Sequence, residues 1–267
     1  MEMQKIIFIA GKGGVGKTTI AVNLAVLWAH QGWKVGLLDA NIHSPAIPRM
    51  LGIHPQGIVG LVEGIEPASP MKGLKVVSMA LFIQNQETPI AWRGPIKQGV
   101  IKQLIADSHW GDLDYLIVDL PAGTGDEAMS AVHFLKGTAG ALLVTTPQAL
   151  ALREVRRTAT FFLQHHVPLI GLVENMAEFS CPHCDGPLTP FGEGTGQPTA
   201  ENLSIPLLGR IPFNPQVTLC ADMGKPFVTS FPPSSAAATL REVGQQCQDL
   251  INERMRFTLL TQIVYKD

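Results

Sequence analysis

The chain has 267 residues, of which 46% are hydrophobic, and a formal net charge of −2. It is long enough to bury a substantial core, and its slightly acidic balance argues against a general nucleic-acid binder, so we expect no nucleic-acid partner. The first apolar run begins at Ile6, which leaves no room for a signal peptide, and no run reaches the roughly 18 residues of a membrane span. We therefore expect a cytoplasmic protein.

A glycine-rich loop near the start of the chain predicts a phosphate-binding site. Residues 6–10 are typical of a buried strand and residues 20–27 of an apolar helix. Between them, G-K-G-G-V-G-K-T-T matches G-x-x-x-x-G-K-[ST], whose backbone N–H groups hold the phosphates of ATP. We expect Lys17 to reach the β- and γ-phosphates and Thr18 to ligate Mg²⁺. The predicted nucleotide contacts in this loop are Gly11, Gly13, Gly14, Val15, Gly16, Lys17, Thr18 and Thr19.

Two later apolar strands each end in an aspartate. Residues 33–39 end at Asp39 and residues 113–119 end at Asp119. Ligand groups collect at the carboxyl ends of parallel strands, so both carboxylates are expected near the nucleotide, and Asp39 is a candidate catalytic residue. An aspartate at such a strand end downstream of a phosphate loop is the Walker B arrangement, which predicts Asp119 as a Mg²⁺ ligand. Capping of the following turn is the alternative role.

Strands and helices alternate along the rest of the chain. The pattern predicts further strands at 74–80, 140–147, 169–176 and 207–212, and helices at 90–107, 149–165 and 235–253. Residues 54–73 are rich in proline and glycine and indicate a surface excursion. This alternation predicts one doubly wound, mainly parallel α/β domain over residues 1–267.

A C-x-x-C motif provides the other chemical signal. Cys181 and Cys184 place two thiolates on a tight turn, where they could bind one metal or two corners of a cluster. The spacing alone leaves zinc, iron and a redox disulfide open. The remaining ligands could be Cys220, Cys247 or His183, or the same pair from a second subunit.

The order of these motifs resembles the Mrp family of iron–sulfur cluster carrier ATPases. The loop with its additional Lys12 resembles the deviant P-loop of a wider superfamily, which includes the nitrogenase iron protein and the septum-positioning and partitioning ATPases. It is followed by W-R-G-P, D-L-P-A-G-T-G-D, V-E-N-M, C-P-H-C and F-G-E-G-T-G, as in the Mrp family. The resemblance runs from about residue 6 to residue 226.

The resemblance implies roles for several further residues. Lys12 would cross a homodimer interface to the partner's nucleotide, and the backbone N–H of Gly123 would contact the γ-phosphate. Asn175 of V-E-N-M would contact adenine, which a neutral amide suits because it both donates and accepts, and the loop at Pro212 would pack on the base. The cysteine pair of each of two subunits would share one 4Fe-4S cluster.

The chain departs from the family pattern at two positions. Asn41 stands where the family has an aspartate that helps to position the attacking water, and Ala122 replaces a proline. An asparagine carries no charge to polarise water, so we expect slow ATP hydrolysis with nucleotide binding retained. Cys220 and Cys247 match no ligand of the family and are expected to be buried free thiols.

The resemblance therefore implies a homodimeric, ATP-binding carrier. It would accept a labile 4Fe-4S cluster from cluster donors and pass it to apo iron–sulfur proteins, with slow hydrolysis as a conformational gate. One alternative is a positioning or partitioning ATPase whose residues 254–265 bind membranes, although core packing or an edge strand is the commoner role for such a segment. The other is a zinc-stabilised, nucleotide-dependent interaction module.

Overall fold

The computed structural model describes residues 5–54, 64–83, 92–135, 138–181, 183–184 and 186–264, with the backbone alone at 138–139 and 256–264. The strands are β1 (Lys5–Gly11), β2 (Val35–Asp39), β3 (Ala68–Met71), β4 (Leu74–Ser78), β5 (Tyr115–Asp119), β6 (Thr138–Thr145), β7 (Leu169–Ala177), β8 (Phe179–Ser180), β9 (Pro187–Leu188) and β10 (Leu207–Pro212). The helices are α1 (Lys17–His30), α2 (Ile47–Met50), α3 (Gly94–Ala106), α4 (Asp126–Phe134), α5 (Ala149–Gln164), α6 (Gly196–Asn202), α7 (Gln216–Asp222), α8 (Phe227–Ser230) and α9 (Ser235–Val264), and a 3₁₀ turn spans Met79–Leu81.

A largely parallel sheet organises the described residues. Its strand order is β10-β7-β6-β1-β5-β2-β4-β3, and within it only β3 is antiparallel to its neighbour. Helices cover both faces, so the central strands are buried throughout and read as continuous apolar runs. The predicted doubly wound, mainly parallel α/β fold is confirmed.

The alternation of side chains along β1 divides the core into two layers. Ile7 and Ile9 face one layer, which contains Trp28 of α1 and residues of α9, and Phe8 faces the other, which contains Phe162 of α5. All five of these side chains are fully buried. Burial of both faces fixes the register of β1, because a shift by one residue would exchange the two layers.

The register aligns the carboxyl ends of three strands. Asp39 at the end of β2 pairs with Asp119 at the end of β5, and Asp119 also pairs with Ile9 of β1. The glycine-rich loop leaves β1 at this same edge. The two aspartates and the loop are therefore neighbours, as the strand-end argument predicts.

The structure corrects several element boundaries. The strand expected over 74–80 ends at Ser78 and continues as a 3₁₀ turn, and the hairpin of β8 and β9, which carries Cys181, was not predicted. The helix expected over 90–107 begins at Gly94, with residues 84–91 outside the described part of the chain. Within the 54–73 excursion, residues 55–63 are likewise outside it, and β3 pairs with β4.

The C-terminal helix is longer than expected. The edge strand considered for residues 254–265 is wrong, because α9 continues as a helix to Val264; residue 265 is outside the described chain. Nothing after Glu253 breaks a helix, since the segment contains neither glycine nor proline. Arg254 ties the helix to the sheet through a 2.6 Å hydrogen bond from Nη2 to the Leu169 carbonyl. Among the described residues, no helix is both long and apolar enough to cross a membrane.

The buried ring of Phe162 provides a test of this packing. Its centroid lies 5.8 Å from that of Phe8 and 5.3 Å from that of Phe161. We expect Phe162→Ala to lower the free energy of unfolding by about 3–5 kcal/mol, because it leaves a cavity between α5 and the sheet. The matched control is Leu163→Ala, whose side chain is 55% exposed. Equal losses for the two variants in urea unfolding would contradict this packing.

Candidate functional site

The loop between β1 and α1 depends on two glycines that no other residue would replace. A Cβ on Gly11 would overlap the carbonyl oxygen of Val144 on the neighbouring strand. Gly16 immediately precedes α1 with φ of 89°, and a Cβ there would overlap the side-chain amide of Asn175. The loop thus packs closely against β6 and β7, and the N–H groups of the first turn of α1 lie at the carboxyl edge of the sheet.

Lys17 lies within this loop. Its side chain is 8% exposed, and Nζ donates a 3.0 Å hydrogen bond to the carbonyl of Lys12. Burial lowers the pKa of Lys17, and the negative charge of Asp119 opposes that shift. The geometry places a poorly hydrated cation beside the N–H groups of the loop, which suits the recognition of phosphate.

Thr18 and Asp119 form a pair that fits a divalent cation. Thr18 Oγ1 donates a 2.6 Å hydrogen bond to Asp119 Oδ2, whereas the buried Oδ1 has no hydrogen-bond partner among the described residues. Burial, together with the adjacent charge of Asp39, raises the pKa of Asp119 to about 7. A hydroxyl beside a carboxylate oxygen without a partner supplies the hard oxygen ligands that Mg²⁺ prefers, so these residues fit Mg²⁺.

Asp39 has a different environment, although it is equally buried. It accepts hydrogen bonds from Ser78 Oγ at 3.0 Å and from the backbone N–H groups of Asn41, Ala46 and Ile47 at 3.2, 3.1 and 3.3 Å. Burial raises the pKa of Asp39 to about 6, and these hydrogen bonds oppose the shift. Asp39 therefore holds the segment after β2 in place and caps the start of α2.

The Asn41 amide bonds within its own segment. Nδ2 donates to the Ser44 carbonyl at 3.1 Å, and the Ser44 N–H donates to Oδ1 at 3.4 Å. These bonds close a local turn of the type that asparagine favours. On the facing loop, Gly123 is exposed with φ of 82°, and a Cβ there would meet nothing within 4 Å. The residue before it, Ala122, lies beside the phosphate loop, because a Cβ on Gly13 would come within 3.5 Å of the Ala122 side chain.

A cavity of about 260 Å³ joins three residues predicted from separate motifs: Thr19, Asn175 and Pro212. Asn175 also donates a 2.9 Å hydrogen bond from Nδ2 to the carbonyl of Val15, which ties β7 to the phosphate loop. The sequence analysis assigned no role to several apolar residues of the lining, some of which adjoin Asn175 or Pro212 in the sequence, whereas Met50 and Val217 are brought here by the tertiary fold. They include Met50, Met176, Ile211, Phe213 and Val217.

The cysteine pair lies on the β8–β9 hairpin that follows β7. The Cys181 N–H donates a 2.8 Å hydrogen bond to the Gly186 carbonyl, and Cys184 is exposed. Hydrogen bonds from the backbone of His183 and of Cys184, and from the Cys184 side chain, lower the pKa of Cys181. Two adjacent thiols, one of them with a lowered pKa, suit the binding of a soft metal or a cluster.

The other cysteines are remote from solvent. Cys220 in α7 is 4% exposed and Cys247 in α9 is fully buried, so the expectation of buried free thiols is confirmed. Burial raises the pKa of Cys247 to about 12. Within the described part of the chain, no three cysteine, histidine or acidic residues are grouped so as to hold a metal ion. The pair on the hairpin therefore gains no third ligand from the described residues of its own subunit.

Comparison with known families confirms the resemblance. A family model described as ParA, NUBPL iron-transfer P-loop NTPase, matches residues 2–248. The chain belongs to this family. An iron-sulfur cluster carrier protein of Saccharolobus solfataricus is 40% identical over 230 residues, which cover 86% of this chain and 78% of the relative. The cytosolic Fe-S cluster assembly factor NUBP2 of Gallus gallus is 40% identical over 248 residues, 91% of each chain.

Solved structures agree with the family assignment. A nucleotide-binding protein of Archaeoglobus fulgidus in complex with ADP superposes with a TM-score of 0.71 at 34% identity, covering 88% of this chain and 93% of that one. The cell division ATPase MinD of Pyrococcus furiosus has the same TM-score at 22% identity, covering 93% and 100% of the two chains. At 22% identity, the similarity to MinD shows only that the two chains share a fold.

The sequence analysis assigned no role to two carboxylates that the structure buries, Glu174 and Glu127. Glu174 precedes Asn175 and is fully buried, where it accepts hydrogen bonds from Arg210 Nε at 2.8 Å and from the Gly196 N–H at 2.7 Å. It thereby joins the ends of β7 and β10 to the start of α6. A carboxylate in an otherwise apolar strand was the available signal, because a buried charge requires partners.

Glu127 joins three segments around the phosphate loop. Its Oε1 lies 2.9 Å from Lys97 Nζ of α3 and 3.2 Å from His43 Nε2 of the segment after β2. Burial acts to raise the pKa of Glu127, but the hydrogen bond and charge of Lys97, with His43, hold it below its usual value. The segments after β2 and β5 are thus linked through one buried carboxylate.

The raised pKa of Asp119 predicts the pH dependence of stability. Between about pH 4 and pH 7 the folded protein binds a proton at Asp119 more tightly than the unfolded chain, so the contribution of Asp119 to the stability of the nucleotide-free protein falls as the pH rises through this window. Asp119→Asn removes this effect. We expect its stability relative to the wild type to rise by on the order of 1–2 kcal/mol from pH 5 to pH 8 in EDTA, measured by urea unfolding.

The exposed Asp112 provides the control for this measurement. Asp112→Asn should show no such trend with pH. A constant stability difference between Asp119→Asn and the wild type from pH 5 to pH 8 would contradict the assignment of a raised pKa to Asp119.

Proposed function

We propose that this protein is an ATP-binding carrier that accepts a labile 4Fe-4S cluster at Cys181 and Cys184 and passes it to apo iron–sulfur proteins. The observation that carries the proposal is the accessible cysteine pair on a hairpin that begins two residues after β7, the strand that contains Asn175. An accessible site suits a cargo that must be released, whereas a structural metal site is closed by four ligands. The names of the 40% identical relatives support the same function.

The carrier acts as a homodimer in this proposal. Each subunit contributes two thiolates, and a 4Fe-4S cluster takes four, so the same pair of a second copy completes the site. Apolar side chains at the carboxyl edge of the sheet support self-association: Met129 of α4 is 49% exposed and Leu150 of α5 is 59% exposed. Lys12 lies on this edge and would reach the nucleotide of the partner.

The nucleotide would bind across the phosphate loop and the cavity beside it. The N–H groups of residues 11–19 and Lys17 hold the phosphates, while Asn175 and Pro212 border the base. Thr18 and Asp119 would hold Mg²⁺, which supplies charge neutralisation to the phosphates when it is bound. Asp39 and Glu127 keep the segments after β2 and β5 in contact, so these segments respond together to the γ-phosphate, with the Gly123 N–H as its contact.

Hydrolysis is the slow step of this cycle. Asn41 stands in place of the aspartate that the family resemblance implies for positioning the attacking water, and its amide bonds within the 41–44 turn. The bound nucleotide therefore controls cluster binding and release, and one cluster transfer does not require the hydrolysis of one ATP. We place the carrier, its cluster donors and its recipient apoproteins in the cytoplasm, which agrees with the cytosolic NUBP2 relative.

Anaerobic reconstitution tests the carrier function. We expect the wild type to take up four iron atoms per dimer, with visible absorption of the cluster, and to transfer it to an apo-acceptor, because its four thiolates match one 4Fe-4S cluster. Cys181→Ala/Cys184→Ala should bind no cluster. His183→Ala is the matched control within the same turn and should retain it. Tight binding of zinc by the wild type without uptake of iron would favour the nucleotide-dependent interaction module instead.

A pair of variants at Asn41 tests the slow hydrolysis. Asn41→Asp places a carboxylate where the resemblance implies one, and we expect it to raise kcat for ATP by about tenfold or more, as a part of the roughly 10²- to 10⁴-fold that a positioned general base contributes. Asn41→Ala removes the amide without adding charge and should leave kcat at or below the wild-type value. Phosphate release under saturating Mg-ATP measures both. An unchanged kcat in Asn41→Asp would show that Asn41 does not limit hydrolysis.

A further inference from the structure

The loop after β10 separates the base cavity from the cysteine hairpin. Pro212, Phe213 and Asn214 line the cavity of about 260 Å³ that also contains Asn175. The same three residues line a second cleft, of about 630 Å³, whose opposite wall includes Phe179 of the hairpin. One short loop is therefore a shared wall between the site proposed for the base and the element that carries the cysteines.

Aromatic contacts hold this wall against the hairpin. The Phe213 ring lies 5.4 Å from the ring of Phe179 and 6.0 Å from that of Phe191, centroid to centroid, and all three are half-buried. The Phe213 N–H also donates a 3.4 Å hydrogen bond to the carbonyl of Ala177. Phe179 is the first residue of β8 and lies two residues before Cys181. The Phe213 ring therefore contacts the hairpin close to the first thiol.

The segment between the two sites has a bend in an unfavourable backbone conformation. Met176 has a φ of 56°, in the left-handed region that residues other than glycine rarely adopt. It lies directly after Asn175 and lines the base cavity. Strain at such a position persists only where the surroundings impose it, and a change in the cavity alters those surroundings. The residues between the base cavity and the hairpin thus include the packed ring of Phe213 and the left-handed backbone at Met176.

We propose that Phe213 is a positioning residue that couples occupancy of the base cavity to the geometry of the Cys181 and Cys184 turn within one subunit. The inference rests on the proposed function for the identity of the base and of the cargo. It adds a route that depends on the base rather than on the γ-phosphate. Mg-ADP and Mg-ATP should therefore act alike on the thiols, whereas Mg-tripolyphosphate, which has no base, should not act.

The reactivity of the thiols in cluster-free, reduced protein measures this coupling. A chromogenic disulfide reagent will report Cys181 and Cys184, because Cys220 and Cys247 are buried in the folded protein. We expect Mg-ADP and Mg-ATP to change the labelling rate by about fivefold, at the lower end of typical coupling between sites. Mg-tripolyphosphate at saturation should change it by less than about 1.5-fold. A change produced by Mg-ATP alone would overturn the inference in favour of a phosphate route.

Phe179→Leu separates coupling from binding, since Phe179 contacts Phe213 from the hairpin side and is not among the described residues that line the base cavity. We expect it to keep the Kd for ADP within about twofold of the wild type and to lose the effect of ADP on labelling. Phe213→Leu should lose the effect as well, and Phe213→Tyr should restore it. Phe231→Leu is the control, because it removes a ring stacked on Phe227 in α8 and should leave the coupling intact.

The readouts distinguish failure of this inference from failure of the carrier function. A full ADP effect in Phe179→Leu would overturn the coupling role of Phe213, whether or not the protein holds a cluster. An ADP effect that disappears in Phe179→Leu would support it even if the wild type fails to take up iron. If the cluster binds, thermodynamic linkage requires that cluster binding change the Kd for ADP by the same factor by which ADP changes the Kd for the cluster. Loss of both effects together in Phe179→Leu would support the inference further.

Discussion

The structure depends on one constraint: two aspartates at the ends of neighbouring parallel strands are buried side by side beneath the phosphate loop. Burial raises the pKa of both carboxyl groups, the charge of Asp39 raises that of Asp119 further, and the fold gives the two groups different partners. Asp39 accepts four hydrogen bonds and holds the segment after β2. Asp119 accepts one from Thr18, and its other oxygen has no hydrogen-bond partner in the part of the chain that the structure describes. One carboxylate is therefore structural, and the other is available to a cation.

Two further buried carboxylates, Glu127 and Glu174, are also held by specific partners. Glu127 joins α3, α4 and the segment after β2, and Glu174 joins β7, β10 and α6. Each is satisfied by partners from elements distant in sequence, so loss of Lys97 or of Arg210 would leave a buried carboxylate with much weaker compensation. Such links hold the surrounding segments together. The phosphate side of the site is connected through Glu127, and the side of the base cavity through Glu174.

The site proposed for the base and the cysteine pair are close because the chain passes from one to the other within a few residues. β7 contributes Asn175 to the cavity and leads, through the left-handed Met176, into the hairpin that carries Cys181. The loop containing Phe213 closes the cavity on one side and packs on the hairpin with the other. The sites proposed for the nucleotide and for the cargo thus share a wall within one chain.

The sequence by itself determined the family, the parallel α/β fold, the phosphate loop, the strand-end aspartates and the cysteine pair. These features are local: glycine spacing, apolar runs and C-x-x-C express their chemistry within a few consecutive residues. Only the tertiary structure decided how the partners divide between Asp39 and Asp119, where Glu127 and Glu174 find their counter-charges, and that Phe213 bridges two cavities. Those outcomes depend on contacts between residues far apart in the sequence, such as Ser78 with Asp39, Thr18 with Asp119, Lys97 with Glu127 and Phe213 with Phe179, which strand register and helix packing bring together and which no short sequence pattern encodes. The length of α9 also escaped prediction, because the mixture of cations and apolar residues after Glu253 suited an edge strand or a membrane-binding segment as well as a helix, and the hydrogen bond from Arg254 to Leu169 forms only in the folded protein.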